Sequence, residues 1–369
     1  MNKYRVWCIV MHMSGFTVAV SGATGYAGGE VLRLLSGHPD LHVTTVCGHS
    51  TAGSRLGEHQ PHLVAYADMT VEESTAEVLA GHDVVVLALP HGASGEIAAA
   101  LAESSPDTLI VDLAADHRLE SAAAWEQFYG SAHPGTWTYG LPELLRAGGG
   151  RQRELLRDTR RIAVPGCNVS AVTLGLQPLL AAGLIDPGRL TAVLANGVSG
   201  AGKALKPHLL AAEVLGDASP YGTAGTHRHV PEIEQNLAGV LGQPAVGSDV
   251  RISFTPTLVP MSRGILATLS APLTAEASTE DVRAVIADTY AAERFVRLLP
   301  EGQWPHTAAT TGANTAHLQT AVDSRAGTVL VSVALDNLVR GTAGQALQSA
   351  HLALGLEEST ALPTEGVAP

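Results

Sequence analysis

The stretch from Phe16 to His49, FTVAVSGATGYAGGEVLRLLSGHPDLHVTTVCGH, constrains this chain more than any other part of it. It reads as an apolar strand, a glycine-rich turn, a helix with Val31, Leu34 and Leu35 on one face, and a second strand. Those pieces in that order make a βαβ unit, whose parallel strands need helices over both faces. Further along, HDVVVLALPHG and DTLIVDLA are continuous apolar runs of strand length, as expected of parallel strands buried on both sides, and GEIAAALAES supplies the crossover helix. RRIAVPG reads as one more strand ending near residue 164. Residues 16–166 are therefore expected to form a Rossmann-type, doubly wound α/β domain.

The texture then changes. SAVTLGLQPLLAAG and KALKPHLLAAEVLG read as helices, each interrupted by a proline. Four strand-like segments follow: RISFTPTLVP, RGILATLSAPL, TAHLQTAVD and GTVLVSVALDN. Only Met261 and Ser262 separate the first two, which predicts a hairpin and antiparallel pairing. Residues 167–336 are thus read as an α+β domain with a mainly antiparallel sheet, a surface suited to pairing subunits. A last helix lies in GTAGQALQSAHLALGL, and residues 357–369 read as a tail beyond the folded part.

Two domains also suit the length, since 369 residues exceed what one core usually organises. With 46% hydrophobic and 15% charged residues and no like-charge block, the chain reads as compact throughout. A formal charge of -13 argues against nucleic acid or an anionic membrane as partner. Cys8, Cys47 and Cys167 are odd in number and lack metal-type spacing, so neither a disulfide scaffold nor a metal site is expected, and a reducing cytoplasm is the natural home. Residues 1–15, MNKYRVWCIVMHMSG, read as an extension with Met11 and Met13 as alternative starts, because His12 breaks the apolar run short of a signal or membrane segment.

In VAVSGATGYAGGE the turn carries Gly22, Thr24, Gly25 and Gly28, a relative of the dinucleotide fingerprint. Glycines there allow a tight turn and bring backbone close to a pyrophosphate, whose charge would sit at the start of the helix beginning near Tyr26. The second strand ends in Cys47, Gly48, His49, Ser50 and Thr51 with no Asp or Glu to hold a ribose 2′-hydroxyl, and Arg55 follows. NADP(H) is therefore expected over NAD(H). Arg55 is read either as a receiver of the 2′-phosphate or as a solvated surface charge.

Cys167 stands after a strand and a Pro-Gly pair, at the start of a helix, where amide ends and the macrodipole favour a thiolate. In GTHRHVPEIEQNL, His227 and His229 precede a helix whose first turn is expected at Pro231 and Glu232, with Ile233, Leu237, Val240 and Leu241 as its buried face. A rigid loop of this kind aims an imidazole, and cysteine with histidine is the usual division of labour in acyl transfer. Arg118, Lys203 and Arg263 sit beside turns and strand ends and suit a phosphate or carboxylate. ANGVSGAGK lacks full P-loop spacing, which disfavours an NTPase.

Taken in order, GATGYAGGE, LALPHGAS, DLAADHRL, YGLPEL, VPGCNVSA, SGAGK, HRHVPEIEQ, PMSRGI, TGANTAHL and DNLVRGTAGQA make the chain resemble the N-acetyl-γ-glutamyl-phosphate reductases of arginine biosynthesis, within the aspartate-semialdehyde dehydrogenase group. The resemblance runs from about Phe16 to the last helix and implies NADPH-dependent reduction of an acyl phosphate to an aldehyde through a cysteine thioester. It implies Cys167 as nucleophile, one of His227 and His229 as acid/base, and Arg118 at the acyl phosphate or departing phosphate. The same motifs put Tyr26, Pro90, Ser199, Gly200 and Asn337 on the cofactor side and Asn168, Lys203 and Arg263 on the substrate side; Ser50 and Arg55, at and just past the end of the second strand, join the cofactor side and Tyr221 the substrate side. Helix 337–356 would complete the cofactor domain, and the enzyme would be a homodimer or homotetramer releasing inorganic phosphate. Asn168, Val169 and Ser170 follow Cys167 where many members carry Tyr-Pro-Thr. Aspartate-semialdehyde dehydrogenase, a lysine-pathway acyl-phosphate reductase and a non-catalytic NADP(H)-sensing protein remain alternative readings.

Overall fold

The structure, a computed structural model, describes residues 15–368. The expected extension, apart from Gly15, and Cys8 lie outside the described residues. The first sheet has seven strands, β1 (Phe16–Ser21), β2 (Leu41–Gly48), β3 (Glu72–Glu73), β4 (Val84–Leu87), β5 (Leu109–Asp112), β6 (Thr138–Tyr139) and β7 (Arg161–Ala163), in the order β3-β2-β1-β4-β5-β7-β6. All its pairings are parallel. Every residue of β4 and β5 is buried, which is why β4 is an unbroken apolar run and β5 is apolar up to Asp112, whose carboxylate accepts a hydrogen bond from Ser94. Helix α1 (Tyr26–Leu35) is the crossover from β1 to β2, and α2 (Ala93–Ser104) the crossover from β4 to β5.

The glycine turn between β1 and α1 is forced by sterics. Gly22 has φ +79°, and a Cβ there would collide with the carbonyl oxygen of Ala88 beyond β4. Gly28 packs against the Gly22 carbonyl in the same way, so α1 lies directly on the turn. Gly22→Ala is expected to cost about 2–4 kcal/mol of stability from backbone strain and collision together. An unchanged urea midpoint would show that the turn relaxes freely.

The second sheet also has seven strands: β8 (Leu190–Asn196), β9 (Ser219–Pro220), β10 (Ile252–Leu258), β11 (Ile265–Pro272), β12 (Val296–Leu298), β13 (Ala316–Asp323) and β14 (Thr328–Leu335), in the order β12-β13-β14-β11-β8-β10-β9. It is mixed but mostly antiparallel, with β8–β10 and β12–β13 as its parallel pairs. The hairpin expected across Met261 and Ser262 does not form. β8 lies between β10 and β11, and the backbone there turns to the segment after β8 instead, through Val198 N–H to Met261 O (3.0 Å), Ser199 N–H to Ser262 O (3.1 Å) and Gly197 N–H to Gly264 O (2.9 Å).

Helix α3 (Cys167–Ala181) is buried from Asn168 to Leu180 and packs beside α4 (His229–Val240), with α5 (Thr279–Tyr290) on the same side of the sheet. α4 begins at His229, so that histidine belongs to the helix rather than to the loop before it. The helix expected over residues 203–216 is absent. Pro207 interrupts the segment, opening a single turn, Pro207–Leu209; a four-residue helix Ala211–Val214 follows, and Leu205 and Leu215 are exposed.

After β14 a π-helical turn, Val339–Ala343, leads into α6 (Gly344–Leu354). Val339, Ala343, Ala346 and Leu347 share one core with Val18, Val31 and Val111 of the first sheet and its helix. The expected loose tail is packed as well. Leu362 is 6% exposed in that core, Pro363 O accepts from Asn314 N–H at 2.7 Å, and Val367 N–H reaches Thr311 O at 2.9 Å.

Candidate active site

At the end of β7, Pro165 and Gly166 hand the chain to Cys167, the first residue of α3, at the seam between the two sheets. A cavity of about 620 Å³ opens there, lined by Cys167, Arg118, His227, His229, Tyr221 and Asn337 among others. Asn168 and Gly200 line it too. The sequence reading expected the helix start to lower the thiol pKa. Burial instead pushes the Cys167 thiol up to about 11, against the opposing pull of the Asn168 amide and the Arg118 charge. The thiol is therefore protonated at neutral pH and needs a base.

Two imidazoles line the same cavity. Burial lowers the His227 pKa to about 4, with the Arg228 charge adding to the shift. Burial also holds His229 well below the ordinary value, reinforced by His227, Arg118 and His91. Both rings are therefore neutral at pH 7. The His229 N–H donates to His227 Nδ1 at 3.0 Å, which leaves the proton of neutral His227 on Nε2. The His229 ring packs directly on Gly166, the residue before Cys167, while its Nδ1 is buried without a hydrogen-bond partner. His227 leans on His229, Tyr221 and Phe254 at centroid distances of 4.6, 5.5 and 5.1 Å.

These shifts carry a sign for stability. Between about 4 and 6.5 the unfolded chain binds protons on these rings that the folded protein refuses, and buried His351, also at about 4, adds to the difference. The stability is whole above 6.5 and is lost as pH falls towards about 4. Urea midpoints compared at about pH 7.5 and about pH 5 should show a clear drop, and equal midpoints would contradict it.

Arg118 donates from NH2 to Leu113 O at 2.8 Å and lies 3.5 Å from Glu232 Oε2, with Nε free of any partner. Gln235 of α4 holds its backbone, donating to Arg118 O at 3.0 Å. Glu232 is the hub that the sequence reading did not place in the site. Its Oε1 accepts from Gly166 N–H at 3.0 Å and from the Tyr139 hydroxyl at 2.7 Å. An acid in the first turn after two candidate histidines was the available signal. Asn196, also unforeseen, donates to the Tyr221 hydroxyl at 2.8 Å.

Lys203 and Arg263 were expected at the substrate with Arg118, but neither lines this cavity. Both line a neighbouring groove of about 540 Å³ that also touches Tyr26, Ser199 and Leu338. Lys203 Nζ donates to Thr24 O (3.2 Å) and His59 O (3.0 Å), and Arg263 is captured by the carboxylates of Glu30 and Asp336, so both sit at the seam beside the glycine turn. Asn337 joins the two spaces, accepting from Gly264 N–H at 2.8 Å and donating to Ser199 Oγ at 3.0 Å.

The groove suits a dinucleotide. α1 starts at Gly25 without a side-chain cap and has no acid in its first turn, so its amide ends are open to an anion. Thr24 and Thr51 hydroxyls meet at 3.3 Å above it. Ser50 is exposed at the end of β2, and Pro90 is exposed beyond β4. Arg55 is 60% exposed and leans on Asp68. β3 sets exposed Glu72 and Glu73 beside Cys47 and Gly48, an acidic neighbour that reading along the chain did not show. Among the described residues no helix is long and apolar enough to cross a membrane.

Residues 17–148 match the family described as semialdehyde dehydrogenase, NAD binding domain, and residues 167–337 match semialdehyde dehydrogenase, dimerisation domain. The chain is 62% identical over 353 residues to an N-acetyl-gamma-glutamyl-phosphate reductase of Micrococcus luteus, covering 96% of this chain and 99% of the relative. To that of Thermobifida fusca it is 57% identical over 355 residues, covering 96% and 100%. Among solved structures, aspartate semialdehyde dehydrogenase II of Vibrio cholerae, complexed with ASA, shares the fold with a TM-score of 0.69 at 16% identity, over 92% of this chain and 98% of that one. Aspartate semialdehyde dehydrogenase with NADP from Candida albicans gives a TM-score of 0.63 at 19% identity, over 92% and 98%.

Proposed function

The chain belongs to the N-acetyl-γ-glutamyl-phosphate reductase family, within the semialdehyde dehydrogenases, and from that premise we propose that it reduces N-acetyl-γ-glutamyl phosphate to N-acetylglutamate 5-semialdehyde and phosphate, with NADPH as reductant and Cys167 as nucleophile. The observation that carries this reading is one cavity that gathers a thiol, two neutral imidazoles and an arginine at the seam between the sheets.

His229, whose ring abuts the residue before Cys167, takes the thiol proton. Cys167 Sγ then bonds to the γ-acyl carbon, the C–O bond to phosphate breaks, and the guanidinium of Arg118 receives the leaving phosphate. The glycine turn, Asn337 and the groove beyond it would hold NADPH, which would supply a hydride for the acyl carbon. Amides at the start of α3 steady the oxygen that becomes negative, and the C–S bond breaks to free the aldehyde. His227, which lines the same cavity with its proton on Nε2, offers the acyl oxygen a hydrogen bond, and the proton held by His229 returns to the sulfur as the C–S bond breaks.

The preference for NADP(H) goes with the residues of the β2 end itself, Cys47 to Thr51, none of which is acidic though Glu72 and Glu73 of β3 stand beside them, and with the Candida albicans protein solved with NADP. A homodimer or homotetramer formed through the second domain goes with this reading and is supported by the dimerisation-domain match, and the three cysteines without disulfide spacing go with a reducing cytoplasm. The test is phosphate-dependent oxidation of N-acetylglutamate semialdehyde, followed as NADPH appearance. Product from aspartate semialdehyde but not from the N-acetylglutamate aldehyde would assign the chain to the sibling activity.

A further inference from the structure

We propose that Arg263 is a positioning residue, a clamp that holds the cofactor helix to the turn joining Asn337 and Cys167, and that it does not touch the acyl phosphate. The inference rests on the reading that the groove along the glycine turn takes a nicotinamide dinucleotide.

The argument begins at Glu30. It sits in the middle of α1, is 1% exposed, and a carboxylate buried this deeply persists only when paired. Arg33 supplies one partner from the same helix, with Nε to Oε1 at 2.9 Å. Arg263 supplies the other from the second domain, with NH2 to Oε2 at 2.7 Å. The far side of the same guanidinium lies 3.5 Å from Asp336 Oδ2.

Asp336, fully buried, organises the turn that follows β14. Its Oδ1 accepts from the N–H groups of Leu338 (2.8 Å) and Val339 (3.1 Å), and its Oδ2 from Gly312 N–H (2.8 Å). Its backbone oxygen accepts from Gly341 N–H at 2.9 Å, and Gly341 lies against Cys167, where an added Cβ would come within 2.6 Å of the cysteine's own. The next residue, Asn337, is held by Gly264, the neighbour of Arg263. One guanidinium therefore ties α1, the segment before β11, and a turn that bears on both Asn337 and Cys167. None of Glu30, Arg263 and Asp336 lines the Cys167 cavity, which is what separates a clamp from a substrate ligand.

The test uses the full chain with Arg263→Gln, Glu30→Gln, both together, and Arg263→Lys. NADPH binding is read by fluorescence titration, and steady-state kinetics separate the KM of the semialdehyde from that of NADP. Either single change should weaken NADPH binding about tenfold and lower kcat by up to about 10²-fold, while the semialdehyde KM stays within about twofold. The double variant should be no worse than either single one, since both break the same link, and Arg263→Lys should recover part of the loss. A raised semialdehyde KM with unchanged NADPH affinity in Arg263→Gln would make Arg263 a substrate ligand and overturn the proposal, as would additive losses. Should Arg263→Gln fail to fold, Arg263→Lys and Glu30→Gln carry the same comparison. If the unaltered protein turns over no semialdehyde, weakened NADPH titration in the variants still upholds the clamp while the substrate reading falls; an unchanged titration removes the clamp.

Discussion

Cys167→Ser should lower turnover of the semialdehyde by roughly 10⁴- to 10⁶-fold, the scale on which enzymes lose rate when a covalent nucleophile or its base is removed. A serine hydroxyl is far less acidic than a thiol, and even the thiol here is held at about 11 by burial. A neutral imidazole whose pKa is pressed down by burial, to about 4 for His227 and well below the ordinary value for His229, is a weak base for that task, so the margin that sulfur provides is needed. NADPH binding should be retained, because Cys167 does not line the groove beside the glycine turn. The measurement pairs NADPH titration with the oxidation assay, and a variant that keeps its activity would refute the covalent route.

The second large effect is expected from Glu232→Ala, at about 3–5 kcal/mol of folding stability. The carboxylate is buried, and its removal strands three groups at once: the Arg118 guanidinium, the Gly166 N–H and the Tyr139 hydroxyl. A buried cation without its partner accounts for most of that figure. Gly166 precedes the nucleophile, so kcat should fall in whatever fraction remains folded. Glu232→Gln keeps a carbonyl oxygen for Gly166 or Tyr139 and should lose distinctly less. Urea unfolding of the three proteins checks the order, and an Ala variant as stable as the parent would show that the carboxylate is dispensable.

The parts legible in the sequence are those with local causes. The turn at Gly22 needs a positive φ, β4 and β5 are buried on both faces, and each leaves its mark within a few residues. Cys167 was legible as a helix start for the same reason. Its acidity was misread because the helix end is local, whereas the burial that outweighs it comes from the surrounding fold. Arg263 pairs with a glutamate 233 residues away, and no pattern in PMSRGI announces that partner. β8, LTAVLAN, was passed over although Pro187-Gly188 precedes it and Gly197 follows it, since its two alanines weaken the strand-like texture, and missing it made a false hairpin of β10 and β11. Glu232 looked like an ordinary first-turn acid, since its partners Gly166, Arg118 and Tyr139 lie 66 to 114 residues upstream.

The return of α6 and Leu362 to the first sheet sets the order in which the molecule can be made. On the ribosome the nucleotide-binding half is translated first, yet the apolar side that Val339, Ala346 and Leu347 will cover stays wet until nearly the whole polypeptide has been released. The second sheet, whose packing partners all arrive earlier, can settle before the first one does. Closing the core of the cofactor-binding half therefore waits on the segment made last, after Leu335.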